Sequence, residues 1–226
     1  MIKYFFLDFA ETLGFRPIPE VDTDLNILSE VIDLKNHDLR GKYIDFCQNN
    51  NLYDRTLSFT DFQSEFDFTV KHFDSFIQKI LLISDSESRA RHISETKYNT
   101  LAHRLYEDAA TALENYRLAG EVYILSDGRP SRRKTLDLLG IKNYCNEYFI
   151  SDEIGFIKSE KDFYKIVLEK TNCAGDIYFF DDLIKNLDTF SEVVDLKGVL
   201  VDRKGLVKQE DVKYKLVHEL PVPLCH

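Results

Sequence analysis

Five polar side chains of this sequence stand after short apolar runs, and their types suit one kind of chemistry. Tyr4-Phe5-Phe6-Leu7 leads into Asp8, Val122-Tyr123-Ile124-Leu125 into Ser126, and Ile177-Tyr178-Phe179-Phe180 into the pair Asp181-Asp182. Lys158 follows a further run, Tyr148-Phe149-Ile150. Asp8 and Asp182 are hard oxygen donors that suit Mg²⁺ together with a backbone carbonyl and waters, and a remaining Asp8 oxygen would be placed to attack phosphorus. Ser126 and the adjoining amides can donate to phosphate oxygens. Lys158 can neutralise charge on both a phosphoryl group and an attacking carboxylate, which otherwise repel each other. Each residue also has an ordinary use: Ser126 as a helix cap, Lys158 as a solvated side chain, the aspartate pair as a turn. Their shared position at strand ends, in order along the chain, is what groups them.

The elements that must position these groups are legible in the spacing. Continuous apolar runs of four fit strands buried on both faces. Between them lie helical patterns: 106–118 with Gly120 as its C′ residue, 131–139 closed by Gly140, and a helix after Lys158 with Ser159 at its N-cap and Phe163, Ile166 and Val167 inward. Gly198-Val199-Leu200-Val201 is a fifth strand, followed by Asp202-Arg203. Alternating units of this length predict an α/β fold, a Rossmann-like, doubly wound parallel sheet whose carboxyl ends converge on one crevice. Residues 15–103 differ. They are helical, aromatic and charged, and Thr60 with Gln63 has the form of a capping box. Phe62, Phe66, Val70, Phe73, Ile77 and Ile80 then follow at steps of three and four, the stripe of an amphipathic helix with core packing as its role. No strand-like alternation occurs there, which predicts an all-helical insert.

Composition narrows the classes further. The chain has 226 residues, 44% of them hydrophobic, enough for one full core or a core with a small second domain. A formal net charge of −10 disfavours nucleic acid and anionic membrane surfaces as partners. No stretch approaches the ~18 apolar residues of a membrane span, and the N-terminus lacks the features of a secretory signal, so a cytoplasmic location is expected. Cys47, Cys145, Cys173 and Cys225 show no metal-binding or redox spacing and read as free thiols. Oligomeric state has no signature in the sequence.

The ordered set of motifs resembles the haloacid dehalogenase (HAD) superfamily with a helical C1-type cap. Tyr4–Leu13 resembles its first motif, Ile124–Gly128 the second, Gly155–Lys158 with Phe163 the third, and Phe179–Asn186 the fourth, while Val199–Gly205 resembles its final strand region. The resemblance implies a Rossmannoid core from residues 1–14 and 104–226 and a helical cap from 15–103. It implies a Mg²⁺-dependent hydrolase of a small phosphorylated metabolite. Asp8 would be nucleophile and metal ligand, Ala10 would offer its carbonyl to the metal, and Asp182 would be a ligand with Asp181 beside it. Ser126, Asp127 and Gly128 would bind the phosphate, Lys158 would neutralise charge, and Asn186 would support the fourth motif.

One position departs from the family pattern. D-x-D-G-T reads here Asp8-Phe9-Ala10-Glu11-Thr12, so the second aspartate, which protonates the leaving oxygen and later activates water, is Ala10. Such help is worth ~10² to 10⁴ in rate. Three readings follow: a phosphohydrolase for substrates whose leaving group needs little protonation, or with an acid from the cap; a phosphonoacetaldehyde hydrolase-like enzyme cleaving a C–P bond through a cap lysine; or a phospholigand-binding or docking protein without catalysis. Lys35, Lys42, Lys71, Lys79 and Lys97 are the lysines available to the second. Glu11 points away from the missing position, and His37, His72, His92 and His103 read as surface or packing residues. A metal-free dehalogenase would leave Asp181-Asp182 without a role, and a mutase leans on the missing acid.

Overall fold

The computed structural model describes residues 2–32, 39–50 and 57–221. Lys35, His37 and Cys225 therefore lie outside the described residues. The chain divides into two compact units, 16–102 and 1–15 with 103–226.

Among its described residues, the unit 16–102 contains four helices and no strand: α1 (Glu20–Val31), α2 (Leu39–Asn49), α3 (Phe62–Lys79) and α4 (Ser86–Asn99). Its core gathers Ile27 and Leu28 from α1, Tyr43 and Phe46 from α2, Val70, Phe73, Phe76 and Ile77 from α3, and Ala90 and Ile93 from α4. The stripe expected on α3 is buried from Val70 to Ile77. Phe62 and Ile80 at its ends are exposed, and Phe62 and Phe66 instead meet the ring of Tyr98. The cap of α3 is Asp61, whose carboxylate accepts from Ser64 N at 2.8 Å, not Thr60. A carboxylate at the N-terminus of a helix gains from the helix dipole as well as from the hydrogen bond, which favours aspartate over the neighbouring threonine.

The second unit holds the sheet. Its elements are β1 (Lys3–Asp8), β2 (Gly14–Phe15), β3 (Arg104–Leu105), α5 (Ala109–Ala119), β4 (Glu121–Ser126), α6 (Ser131–Leu138), β5 (Glu147–Ile150), α7 (Ser151–Ile154), α8 (Lys161–Thr171), β6 (Asp176–Asp181), α9 (Ile184–Ser191), β7 (Lys197–Val201) and β8 (Lys215–Val217). Six strands form one sheet in the order β5-β4-β1-β6-β7-β8, each pair parallel, while β2 and β3 make a separate antiparallel pair. Counted within the sheet alone this is the doubly wound order, reversing direction at β1. Successive side chains leave opposite faces of a strand. Phe5, Leu7, Val122 and Ile124 accordingly pack against Leu113 and Tyr116 of α5, and Tyr4, Phe6, Tyr123 and Leu125 share a core with Phe163 and Tyr164 of α8 and Phe190 of α9.

Two helix ends differ from expectation. Gly120 is extended (φ 174°) and not left-handed; a Cβ there would stand 2.1 Å from Lys3 O, so glycine is needed for close approach to the start of β1. The cap of α8 is Glu160 in place of Ser159, and the Glu160 carboxylate accepts from Ile157 N at 2.9 Å, bracing the loop that carries Lys158. Gly140 is left-handed (φ 75°), as its place after α6 predicts. No described helix is long and apolar enough to cross a membrane.

Candidate active site

Asp8 is the last residue of β1 and Asp181 the last of β6, so two carboxylates end adjacent parallel strands at the point where the sheet order reverses. Ser126 ends β4 on the other side of β1. The crevice outside such strand ends is where ligands bind in this architecture.

Lys158 joins the two carboxylates. Its ammonium donates to Asp8 Oδ1 and to Asp181 Oδ2 (2.8 Å for the latter), and all three residues are at most 3% exposed. Burial alone would push the Lys158 ammonium down; Asp181 and Asp8 outweigh it and hold it well above the usual lysine range. Its loop is tied to the sheet by Lys158 N donating to Asp127 Oδ1 at 2.8 Å. Asp181 accepts from Asn186 Nδ2 at 3.0 and 3.1 Å and from Leu183 N at 2.9 Å, so its carboxylate is fixed from three sides.

Asp8 is less completely satisfied. Its Oδ2 is buried and has no hydrogen-bond partner. Burial, reinforced by Asp181 and Asp182, outweighs Lys158 and pushes the Asp8 carboxyl up to about 8. Burial and Asp181 push Asp182 up to about 6. These aspartates are crowded with negative charge, and an oxygen of Asp8 awaits a partner. A divalent cation is a group that would satisfy both conditions. Among the described residues no three His, Cys, Asp or Glu side chains form a complete metal cage. Mg²⁺ is commonly held by one or two carboxylates with several waters, a donor set that Asp8 and Asp182 would supply.

The remaining predicted residues fall nearby with distinct roles. Ser126 is buried and its Oγ donates to Asp127 O at 3.3 Å. Asp127 spends a carboxylate oxygen on the Lys158 loop, and the Gly128 amide donates to Ser151 Oγ at 2.9 Å. Ser151, at the start of α7, was not singled out in the sequence, although it directly follows the run Tyr148-Phe149-Ile150. Ala10 lies exposed in the turn after β1, where Leu13 N and Gly14 N both donate to Phe9 O. Arg203 clamps this turn. It donates to Thr12 O at 3.1 and 2.7 Å, pairs with Asp108 and stacks over Tyr106 at 4.3 Å.

Glu11 adopts a left-handed backbone (φ 60°), which glycine accepts without strain. Its carboxylate accepts from Tyr106 Oη at 3.4 Å and pairs with Lys204 at 3.2 Å. His103 packs beside Phe9 and meets Arg132, and His72 is buried against Cys47 at 3.7 Å, both in packing roles. Of the lysines considered for imine chemistry, Lys97 donates to both oxygens of Asp24 and to Glu20, while Lys42, Lys71 and Lys79 are exposed.

No family model and no curated protein matches the sequence. Solved structures do match. A 2-haloacid dehalogenase from Pseudomonas syringae pv. Tomato DC3000 shares 11% identity at a TM-score of 0.69, covering 97% of this chain and 95% of that one. A HAD phosphatase from Thermococcus onnurineus shares 16% at 0.60, covering 97% and 94%. The Bacillus subtilis HAD-hydrolase YfnB bound to magnesium shares 14% at 0.56, covering 97% and 95%. With a doubly wound sheet, aspartates ending two of its central strands and these neighbours, the chain has the fold of the HAD-superfamily hydrolases.

Proposed function

We propose that the protein is a Mg²⁺-dependent hydrolase of a small phosphorylated metabolite, with Asp8 as nucleophile. The observation that carries this reading is the state of Asp8: buried, held through one oxygen by Lys158, with the other oxygen unpartnered. Asp8, Asp182 and the Ala10 carbonyl would hold Mg²⁺ with waters, Asp181 standing beside them, and the ion would offset charge on the phosphoryl oxygens. An Asp8 oxygen attacks phosphorus as the bond to the leaving oxygen breaks. Water then attacks the same phosphorus and the bond to Asp8 breaks, returning the carboxylate. Lys158 lowers the repulsion between carboxylate and phosphoryl group in both steps. Ser126 and the Asp127 amide would receive the phosphate oxygens, with Gly128, whose amide is held by Ser151 Oγ, shaping the loop beside them. We read the unit 16–102 as the cap and place the protein in the cytoplasm, where free thiols such as Cys47, Cys145 and Cys173 persist.

Ala10 restricts the substrate. With no carboxyl to protonate the departing oxygen, the fitting substrates are acyl and enol phosphates, whose leaving groups need little protonation. Turnover of acetyl phosphate with Mg²⁺, and none of an alkyl phosphate, is the expected result. An Asp8→Asn variant as fast as wild type would overturn the reading.

The same Ala10 favours a second reading, a phospholigand-binding or docking protein without turnover. Retained phosphate binding with no hydrolysis of either compound would select it. The imine route is the weakest fit, since Lys97 is committed to Asp24 and Glu20, and these carboxylates hold its ammonium above the ordinary range despite burial.

A further inference from the structure

The turn that follows Asp8 leaves the sheet, and it carries backbone hydrogen bonds of its own. Phe9 O accepts from Leu13 N at 3.0 Å and from Gly14 N at 2.9 Å, and Glu11 N donates to Gly14 O at 2.8 Å. Glu11 is left-handed inside this turn, a conformation that persists in a residue with a Cβ where the surroundings over-determine it. Arg203 supplies such surroundings from 191 residues along the chain. Its Nε and Nη2 donate to Thr12 O at 3.1 and 2.7 Å, so one guanidinium takes both acceptor positions of that carbonyl. Nη1 donates to Asp108 Oδ2 at 2.8 Å and to His218 O at 3.2 Å. Asp108 Oδ2 also accepts from Leu220 N at 2.6 Å, and Tyr116 Oη donates to Pro221 O at 2.6 Å. The anchor is thus itself fixed, by the start of α5 and by the segment after β8. The Arg203 side chain is 6% exposed and Thr12 is fully buried, so water competes little for these bonds.

We propose that Arg203 is a positioning residue for the candidate site. Through the Thr12 carbonyl it fixes the turn 9–14, and with it the Ala10 carbonyl and the direction in which the chain leaves Asp8. The consequence for turnover rests on the hydrolase reading; the clamp on the turn does not. Arg203 acts on the side of the site that attacks and holds metal, not on the loop Ser126–Gly128, so its loss should lower kcat and leave KM nearly unchanged.

The test uses the full chain and begins without metal. Hydrogen exchange read by mass spectrometry in Arg203→Gln should quicken at least about tenfold in the peptide covering 9–14, as befits the loss of charge-assisted hydrogen bonds, and stay as in wild type in the peptide covering 122–126. With Mg²⁺ and acetyl phosphate, kcat should fall at least about tenfold and KM should change by less than about twofold, since a displacement of an ångström can cost about 10²-fold. Arg203→Lys, which can still pair with Asp108 and donate once to the turn, should lie between the two in both measurements. Unchanged exchange at 9–14, equal quickening at 122–126, or a loosened turn with kcat intact would overturn the proposal. Should Arg203→Gln not fold, wild-type exchange and kcat in Arg203→Lys overturn it. A wild type that releases no phosphate counts against the hydrolase reading alone, and the exchange ratio then decides whether Arg203 holds the turn.

Discussion

Lys158 satisfies two buried carboxylates at once, so its removal has two separable consequences. Lys158→Ala leaves Asp8 and Asp181 buried without their cation, a loss of about 3 to 5 kcal/mol by comparison with other broken buried pairs. Thermal denaturation should register it, alongside a loss of turnover. Mg²⁺ should raise the melting temperature of the wild type by mass action, and Asp8→Asn or Asp182→Asn should reduce that rise; an unchanged rise would remove these residues from the metal site. Glu11 offers the opposite experiment. Its left-handed backbone costs roughly 1 to 2 kcal/mol in a residue with a Cβ, and its exposed pair with Lys204 returns little. Glu11→Gly should therefore be neutral or stabilising in denaturant melts. At this scale the sequence was informative about residue types and strand-end placement: Asp8, Ser126, Lys158 and Asp181 do stand at strand ends or beside them. What it did not carry was partner choice. That Asp127 would fasten the Lys158 loop, and that Arg203 would clamp the turn after Asp8 from far along the chain, depends on contacts between remote segments.

Elements were legible where a single pattern decided them. The apolar runs gave β1, β4, β5, β6 and β7, because strands buried on both faces need unbroken apolar sequence. β8, three residues at the sheet edge, lacks such a run, the start of α3 is set by the Asp61 carboxylate and not by Thr60, and the N-cap position of α8 is Glu160, one residue past Ser159. Gly120 shows a glycine required by space where a helix-ending φ was expected. Gly120→Ala should cost about 1 to 3 kcal/mol, since its Cβ would meet backbone and not a movable side chain. In the helical unit, Phe73 is fully buried on α3, and Phe73→Ala should cost about 3 to 5 kcal/mol. His72 adds a pH dependence. Burial, with help from Lys97, pushes it down from 6.5 to about 3, so folding selects the neutral ring. The stability this confers is complete above about pH 6.5 and is lost as pH falls toward 3. The acid limb of a plot of melting temperature against pH should flatten in His72→Gln.

At the scale of the molecule, the order β5-β4-β1-β6-β7-β8 brings Asp8 and Asp181 together from segments far apart in sequence. The helical segment contributes its own core, built from residues whose spacing announced a helix but not their partners. The claim at the centre is that Asp8 becomes covalently phosphorylated. Acyl phosphates are reduced by borohydride to the alcohol, so protein turning over acetyl phosphate with Mg²⁺ should be quenched with borohydride, digested and its peptides weighed. Reduction confined to Asp8, and absent from Asp8→Asn, is the predicted result; turnover with Asp8 unreduced and another carboxylate labelled would contradict it.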